Sequence, residues 1–349
     1  MSSLRIALVL ALFLVSGCGG GGGGEVVETT YSSIFGLTVD NAATPTKLVI
    51  ANADNQTLQT LTLSNSAVAV LAGTANTAGT VDGTGTAAKF NGPFGITLSG
   101  TDYYVADYNN HAIRKVTSAG VVSTLAGSAG SSGSTNGTGS AARFYTPKGL
   151  VSDGTNLFVT DTSNQLIRKV VIGTGATTTL AGGAGTSGTT DATGTSARFN
   201  APFGIAFDTT DLFVTDTGSH TIRKVTTGGV VTTLAGTAGT SGTTDATGTA
   251  ARFNTPSGLV SDGTNLFVAD SGNHTIRKIV ISSGVVTTLA GTAGTSGSAD
   301  GTGAAARFNL PIGLTIDNAG NLYVSDQNYT KIRKIVTSTG VVTTISATF

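Results

Sequence analysis

Five prolines stand in one local setting, Pro-x-Gly followed by an aliphatic residue. They are Pro93, Pro147, Pro202, Pro256 and Pro311, spaced 54, 55, 54 and 55 residues apart. About a dozen residues after each glycine comes an apolar run ending in Asp, as in Leu157-Phe158-Val159-Thr160-Asp161 and Leu266-Phe267-Val268-Ala269-Asp270. Seven residues beyond that Asp stands the Arg of Ile-Arg-Lys, and Val-Val-Thr-Thr-Leu-Ala-Gly or a close variant ends the copy. A sixth, degenerate copy lies at the front. Gly36-Leu37-Thr38-Val39-Asp40-Asn41-Ala42 nearly repeats Gly313-Leu314-Thr315-Ile316-Asp317-Asn318-Ala319, and Leu71-Ala72-Gly73 ends it in step with Leu125-Ala126-Gly127. It has Ile34 in place of Pro and a few extra residues around Pro45. Self-similarity at a fixed period constrains the fold more tightly than any single motif does.

Within one copy the pattern predicts four strands, at 258–261, 265–269, 275–281 and 285–289. Each is short, rich in Val, Ile, Thr and Phe, and bounded by Gly, Asp or Asn. Asp262-Gly263 and Ser283-Gly284 supply hairpin turns with residues tolerant of positive φ. A lone four-stranded sheet of this kind has two apolar faces to cover, and neighbouring copies cover them. A ring of such sheets does this and leaves only short edges. The expected fold is therefore all-β: a six-bladed β-propeller of four-stranded antiparallel blades. A linear β-solenoid is the alternative, but it needs capping ends and shorter repeats. The 50 glycines and low charged content of 11% suit short strands and tight turns rather than helices.

The pattern Pro-x-Gly-aliphatic, then Leu-Phe-Val-x-Asp, then Asn-x-x-Ile-Arg-Lys, as in Asp270-Ser271-Gly272-Asn273-His274-Thr275-Ile276-Arg277-Lys278, resembles NHL repeats. The resemblance implies a six-bladed propeller serving mainly as a binding platform, some relatives being lyases or lactone hydrolases with an axial metal. The residues favour a non-catalytic scaffold over such an enzyme. The only glutamates are Glu25 and Glu28, outside the repeats, and no Gly-x-Ser-x-Gly occurs. No cofactor and no metal site is expected.

Arg5, the apolar run 6–15 and small residues up to Cys18 read as a cleavable export segment rather than a membrane span, which needs about 20 apolar residues. Cys18 is the sole cysteine, which excludes a disulfide within one chain. Leu14-Val15-Ser16-Gly17-Cys18 resembles the bacterial lipoprotein signal, which implies lipidation of Cys18 after removal of residues 1–17. Glycines 19–24 make a flexible leash within a tether at 18–33, and the propeller fills 34–349. Gly rather than Asp at position 19 favours the outer membrane of a two-membrane cell. The expected setting is the bacterial cell envelope. The expected partners are a protein, peptide or glycan there, bound by a monomer.

Asp and Arg recur seven apart as Asp107/Arg114, Asp161/Arg168, Asp216/Arg223, Asp270/Arg277 and Asp326/Arg333, while the first copy has Asn52 and Gln59. Both charges vanish together, and an unpaired buried charge is costly, so these residues are expected to pair as structural ties. A second basic position, Lys89, Arg143, Arg198, Arg252 and Arg307, precedes each Pro-x-Gly and is followed by Phe. With zero formal net charge spread evenly over the copies, nucleic acid is not an expected partner. His111, His220 and His274 share one repeat position and read as solvated turn residues. The long Gly-rich connections are candidate binding loops through Asp191, Arg198, Asp245, Arg252, Asp300 and Arg307. Residues 249–253 there could form one helical turn anchored by Phe253, with Asp245 paired to Arg252.

Overall fold

Each copy pairs its own four strands in sequence order as an antiparallel sheet. In the fifth copy these are Pro256–Ser261, Asn265–Asp270, Thr275–Val280 and Val286–Ala290. Six such sheets stand around one axis, giving the expected six-bladed all-β propeller. The structure, a computed structural model, describes residues 34–44, 46–326 and 331–349. Cys18, the glycine leash and the signal segment lie outside the described residues. Blades 1 to 6 take residues 34–72, 93–127, 147–181, 202–235, 256–290 and 311–345.

The second strand of a blade is buried along nearly its whole length, as in Asn265–Asp270. A strand with one solvated face would alternate; this one has a blade on each side. Every seam between blades holds its own core. Between blades 4 and 5, Phe213, Ile222 and Ala235 meet Leu259, Leu266, Val268 and Ile279. Phe253 from the intervening connection is fully buried in that seam, as expected of an anchor, and Phe90, Phe144, Phe199 and Phe308 are fully buried in the equivalent place.

The Pro-x-Gly motif has a geometric cause. The first strands, Ile34–Asp40, Pro93–Ser99, Pro147–Ser152, Pro202–Phe207, Pro256–Ser261 and Pro311–Ile316, line the axis. They converge so closely that a Cβ on each motif glycine would overlap the carbonyl oxygen of the residue before the next blade's glycine. At Gly149 and Gly204 the approach would be 2.5 Å, to Phe203 O and Ser257 O. The series runs through Gly36, Gly95, Gly149, Gly204 and Gly258 to Gly313, whose neighbour is Phe35 of blade 1. Among the described residues the ring thus closes between whole blades, without exchange of a strand. Closure adds Val39 N–H donating to Thr315 Oγ1 at 3.3 Å and Ser325 Oγ donating to the Phe35 carbonyl at 3.3 Å. Leu37, Val39, Leu48 and Ile50 pack there on Tyr323 and Ile332.

The connections are structured, with a single 3-10 turn such as Gly248–Ala250. Beside it, residues Gly83–Thr84, Gly137–Thr138 and Gly301–Thr302 pair with the outer strand of the following blade, making three blades five-stranded. Single bridges, Thr193 to Val230 and Thr247 to Val285, do the same in blades 4 and 5. An outer strand is an exposed edge, and these straps cover part of it.

Candidate functional site

The repeated charges meet at the straps. Arg277 is fully buried, and its fork is split between two carboxylates rather than held by one. Nη1 lies 2.8 Å from Asp270 of its own blade, and Nη2 lies 2.5 Å from Asp245 of the preceding connection. The two nitrogens also donate to the carbonyls of Arg252 and Thr244, and the guanidinium sits over Phe253, 5.1 Å from the ring centroid. Arg114, Arg223 and Arg333 repeat this with Asp107 and Asp82, Asp216 and Asp191, and Asp326 and Asp300. Arg168 pairs with Asp161 at 2.9 Å and takes Asn136 in place of the second carboxylate, at 3.0 Å. In blade 1, Asn52 donates to Gln59 at 3.2 Å. Burial pushes the strand carboxyls up to about 6 against the pull of arginine and N–H donors, so they stay ionised at neutral pH.

Asp245 therefore reaches forward to Arg277 and not to Arg252, contrary to the local expectation. Arg252 instead caps its own 3-10 turn through the carbonyls of Thr249, Ala250 and Ala251, and Arg198 and Arg307 do likewise on theirs. Asp82 and Asn136 belong to the set and went unnoticed. The signal was their equivalence to Asp191 and Asp245 in the repeat.

The histidines sit in the expected turns but are only partly solvated. His111, His220 and His274 are half-buried, and Nδ1 of each accepts the backbone N–H of Thr146, Thr255 or Leu310 in the next connection, at 3.0–3.2 Å. Gln56 and Gln165 occupy the same position and accept from Gly92 and Ala201 at 2.6 Å. Burial lowers all three histidine pKa values by disfavouring the charged ring, and protonating Nδ1 would also forfeit its acceptor role. A histidine pKa held below its unfolded value contributes stability above about pH 6.5, lost as pH falls through the folded value. Replacing all three by Gln keeps the acceptor without the titration. The variant's melting temperature should match the wild type at pH 7.5 and fall less than the wild type's between pH 7.5 and 5. Equal falls would show that these rings carry no pH dependence.

One place breaks the repeat. The residue before the motif glycine is Phe35, Phe94, Lys148, Phe203, Ser257 and Ile312 in blades 1 to 6. All of them but Ser257 border an open axial cavity of about 80 Å³. Phe35 and Phe94 stack with centroids 4.3 Å apart, and Phe203 meets Phe94 edge-on at 5.3 Å. Lys148 stands between the rings of its two neighbours. Its Nζ is 4.5 Å from the Phe203 centroid, 5.6 Å from Phe94 and 5.8 Å from Tyr108, which comes from the turn after blade 2's second strand. No carboxylate among the described residues pairs with it, and burial lowers its pKa to about 8. Ser257 Oγ is committed to Ser271 Oγ at 2.5 Å and the Ile312 carbonyl at 3.2 Å. Among the described residues no three His, Cys, Asp or Glu side chains gather as a metal site. Lys148 was missed in the sequence although it is one of the few basic residues outside the repeated positions.

No family model matches the chain. Human NHL repeat-containing protein 2 is 29% identical over 303 residues, covering 76% of this chain and 42% of that protein. This chain is related to the NHL-repeat propellers. It spans less than half the length of the curated relatives it matches. Among solved structures, an auxiliary nutrient binding protein from Bacteroides thetaiotaomicron superposes with a TM-score of 0.65 at 17% identity, over 90% of this chain and 70% of that one. An inactive virginiamycin B lyase from Staphylococcus aureus, solved with quinupristin, gives 0.56 at 14% identity, over 91% and 85%. At such identities these two likenesses show the fold. The NHL-like propeller therefore shares its architecture with both a binding protein and a lyase.

Proposed function

We propose that the chain is a non-catalytic binding propeller, anchored in the bacterial cell envelope through lipid on Cys18, that takes its ligand at the mouth of the axis. The observation that carries the reading is where the repeat is kept and where it is broken. The repeated polar groups are consumed in ties between blades and straps, whereas the position before the motif glycine changes from aromatic to cationic, hydroxyl and aliphatic around the ring. A ring of equivalents has no singular site, so recognition belongs to the positions that differ. The nutrient-binding protein of like fold supports the same reading.

A lyase or lactonase with an axial ion is the other reading that the fold permits. The axial side chains do not fit such an ion. They are apolar except for a cation, Lys148, and the nearby Ser257 is already committed to Ser271 and the Ile312 carbonyl.

Thermal-shift screening of envelope-derived small molecules and oligosaccharides tests the reading on wild type beside Phe203→Ala and Arg252→Ala. A ligand that raises the wild-type and Arg252→Ala melting temperatures but not that of Phe203→Ala is the expected result. A ligand that depends on Arg252 moves the site to the Gly-rich loops, and turnover of the bound molecule overturns the non-catalytic reading. In the same cells, Cys18→Ala should move the chain from the membrane to the soluble fraction. Unchanged membrane retention would remove the anchor.

A further inference from the structure

The ammonium of Lys148 is the singular charge of the axis, and it lacks a counter-charge. Lys148 is partly buried, and taking an ammonium even part-way out of water is costly unless it is paired. The three rings around it supply part of the compensation, since a cation over an aromatic face is attracted by the ring quadrupole. Rings cannot neutralise charge, however. The Phe203 carbonyl is engaged elsewhere: Thr160 Oγ1 donates to it at 2.6 Å while accepting from Gly149 N–H at 2.8 Å. The other five axial positions carry no charge. A phenylalanine at position 148, as in blades 2 and 4, would fill the place without any of this cost.

We infer that the axial cavity binds the carboxylate of an organic acid, with Lys148 as its counter-ion and Phe94, Phe203 and Tyr108 against its apolar carbon. The inference rests on the axial binding site proposed above and names its ligand class. The cavity holds about 80 Å³, against about 150 Å³ for an engineered cavity that admits benzene. It therefore takes a carboxylate and the first few carbons, and a longer tail leaves through the open mouth. A neutral sugar or amide would leave the ammonium unpaired. A second cation would be repelled.

The linkage gives a signature that general stickiness lacks. A bound carboxylate favours the charged amine, so affinity is full below about pH 8 and weakens as the free site loses its proton above it. Tyr108 is the other titratable side chain beside Lys148, and burial raises its pKa, so it stays neutral through this window. The remaining neighbours, Phe35, Phe94, Phe203, Ser257 and Ile312, do not titrate there.

Calorimetry on the whole propeller with butyrate and hexanoate, beside butanamide, hexanamide and butylamine, tests the inference. The acids should bind, with affinity falling towards about tenfold per pH unit above pH 8 and with proton uptake that scales with buffer ionisation enthalpy. The amides and the amine should give no heat. Lys148→Phe, which copies the neighbouring blades, and Lys148→Met should each lose at least about tenfold in affinity, while Lys148→Arg retains binding with a flat profile from pH 7 to 9. Near-wild-type melting of either neutral variant establishes that the loss is local. Amides binding as well as acids, acids unaffected by loss of Lys148, or no acid binding at millimolar concentrations would overturn the inference. If acids fail while another ligand still depends on Phe203, the ligand class falls and the axial site stands. If no ligand depends on Phe203, the site falls with it.

Discussion

Asp216→Asn should destabilise the propeller by about 3–5 kcal/mol, and adding Arg223→Gln to it should recover most of that loss. The single change leaves Arg223 fully buried with only the half-exposed Asp191 as its counter-charge. Breaking a buried pair from one side carries a cost of that size because a desolvated charge is left behind. The asparagine keeps the shape and can still accept the Asn200 N–H that Asp216 Oδ1 takes at 2.6 Å, so the loss reports charge rather than volume. The double change rebuilds in blade 4 what blade 1 already has, an Asn52–Gln59 contact at 3.2 Å between neutral side chains. Asp191 then loses its arginine, but its side chain is 44% exposed and water replaces the partner at little cost. Chemical denaturation of wild type, both single variants and the double variant closes the cycle. A double variant no more stable than Asp216→Asn would mean that the pair is not the unit of stability.

The pairing was legible because the degenerate copy lost both charges at once. What the spacing could not carry was the third member. Asp245 lies 32 residues before Arg277, and local reading assigned it to Arg252, seven residues away. That distance spans the seam between blades, where sequence separation says nothing about proximity. The histidines failed for a related reason. Read blade by blade, they look like turn residues; read across copies, the alternation Gln56, His111, Gln165, His220, His274 shows that an acceptor is what the position needs. Fold and blade number were legible because a ring of six equal units writes itself six times. The axial site was hidden because it is written once. Lys148 sits inside the best-marked motif of the chain, in the slot that carries no repeat constraint. That slot reads as noise until the first strands are seen to converge on one axis.

Convergence also sets the largest expected effect of a single methyl group. Gly313→Ala places a Cβ in overlap with the Phe35 carbonyl and 2.9 Å from Ser325 Oγ, so the first strands of blades 6 and 1 must part. Gly258→Ala meets the Ile312 carbonyl in the same way between blades 5 and 6. Overpacking of this kind costs about 1–3 kcal/mol, and more where backbone rather than a side chain must yield. The two seams differ in what holds them. Residues 291–310 join blade 5 to blade 6 and bury Phe308 in their seam, whereas the described residues supply no such connection between blades 6 and 1. A covalent link keeps parted surfaces at high effective concentration, and a seam without one gains nothing of the sort. Gly313→Ala should therefore cost more than about 3 kcal/mol and admit hydrogen exchange along Ile34–Asp40 and Pro311–Ile316. Gly258→Ala should cost less and leave those two strands protected. If instead the two alanines are equally harmful and exchange stays local to each, the closing seam is held as firmly as the linked ones.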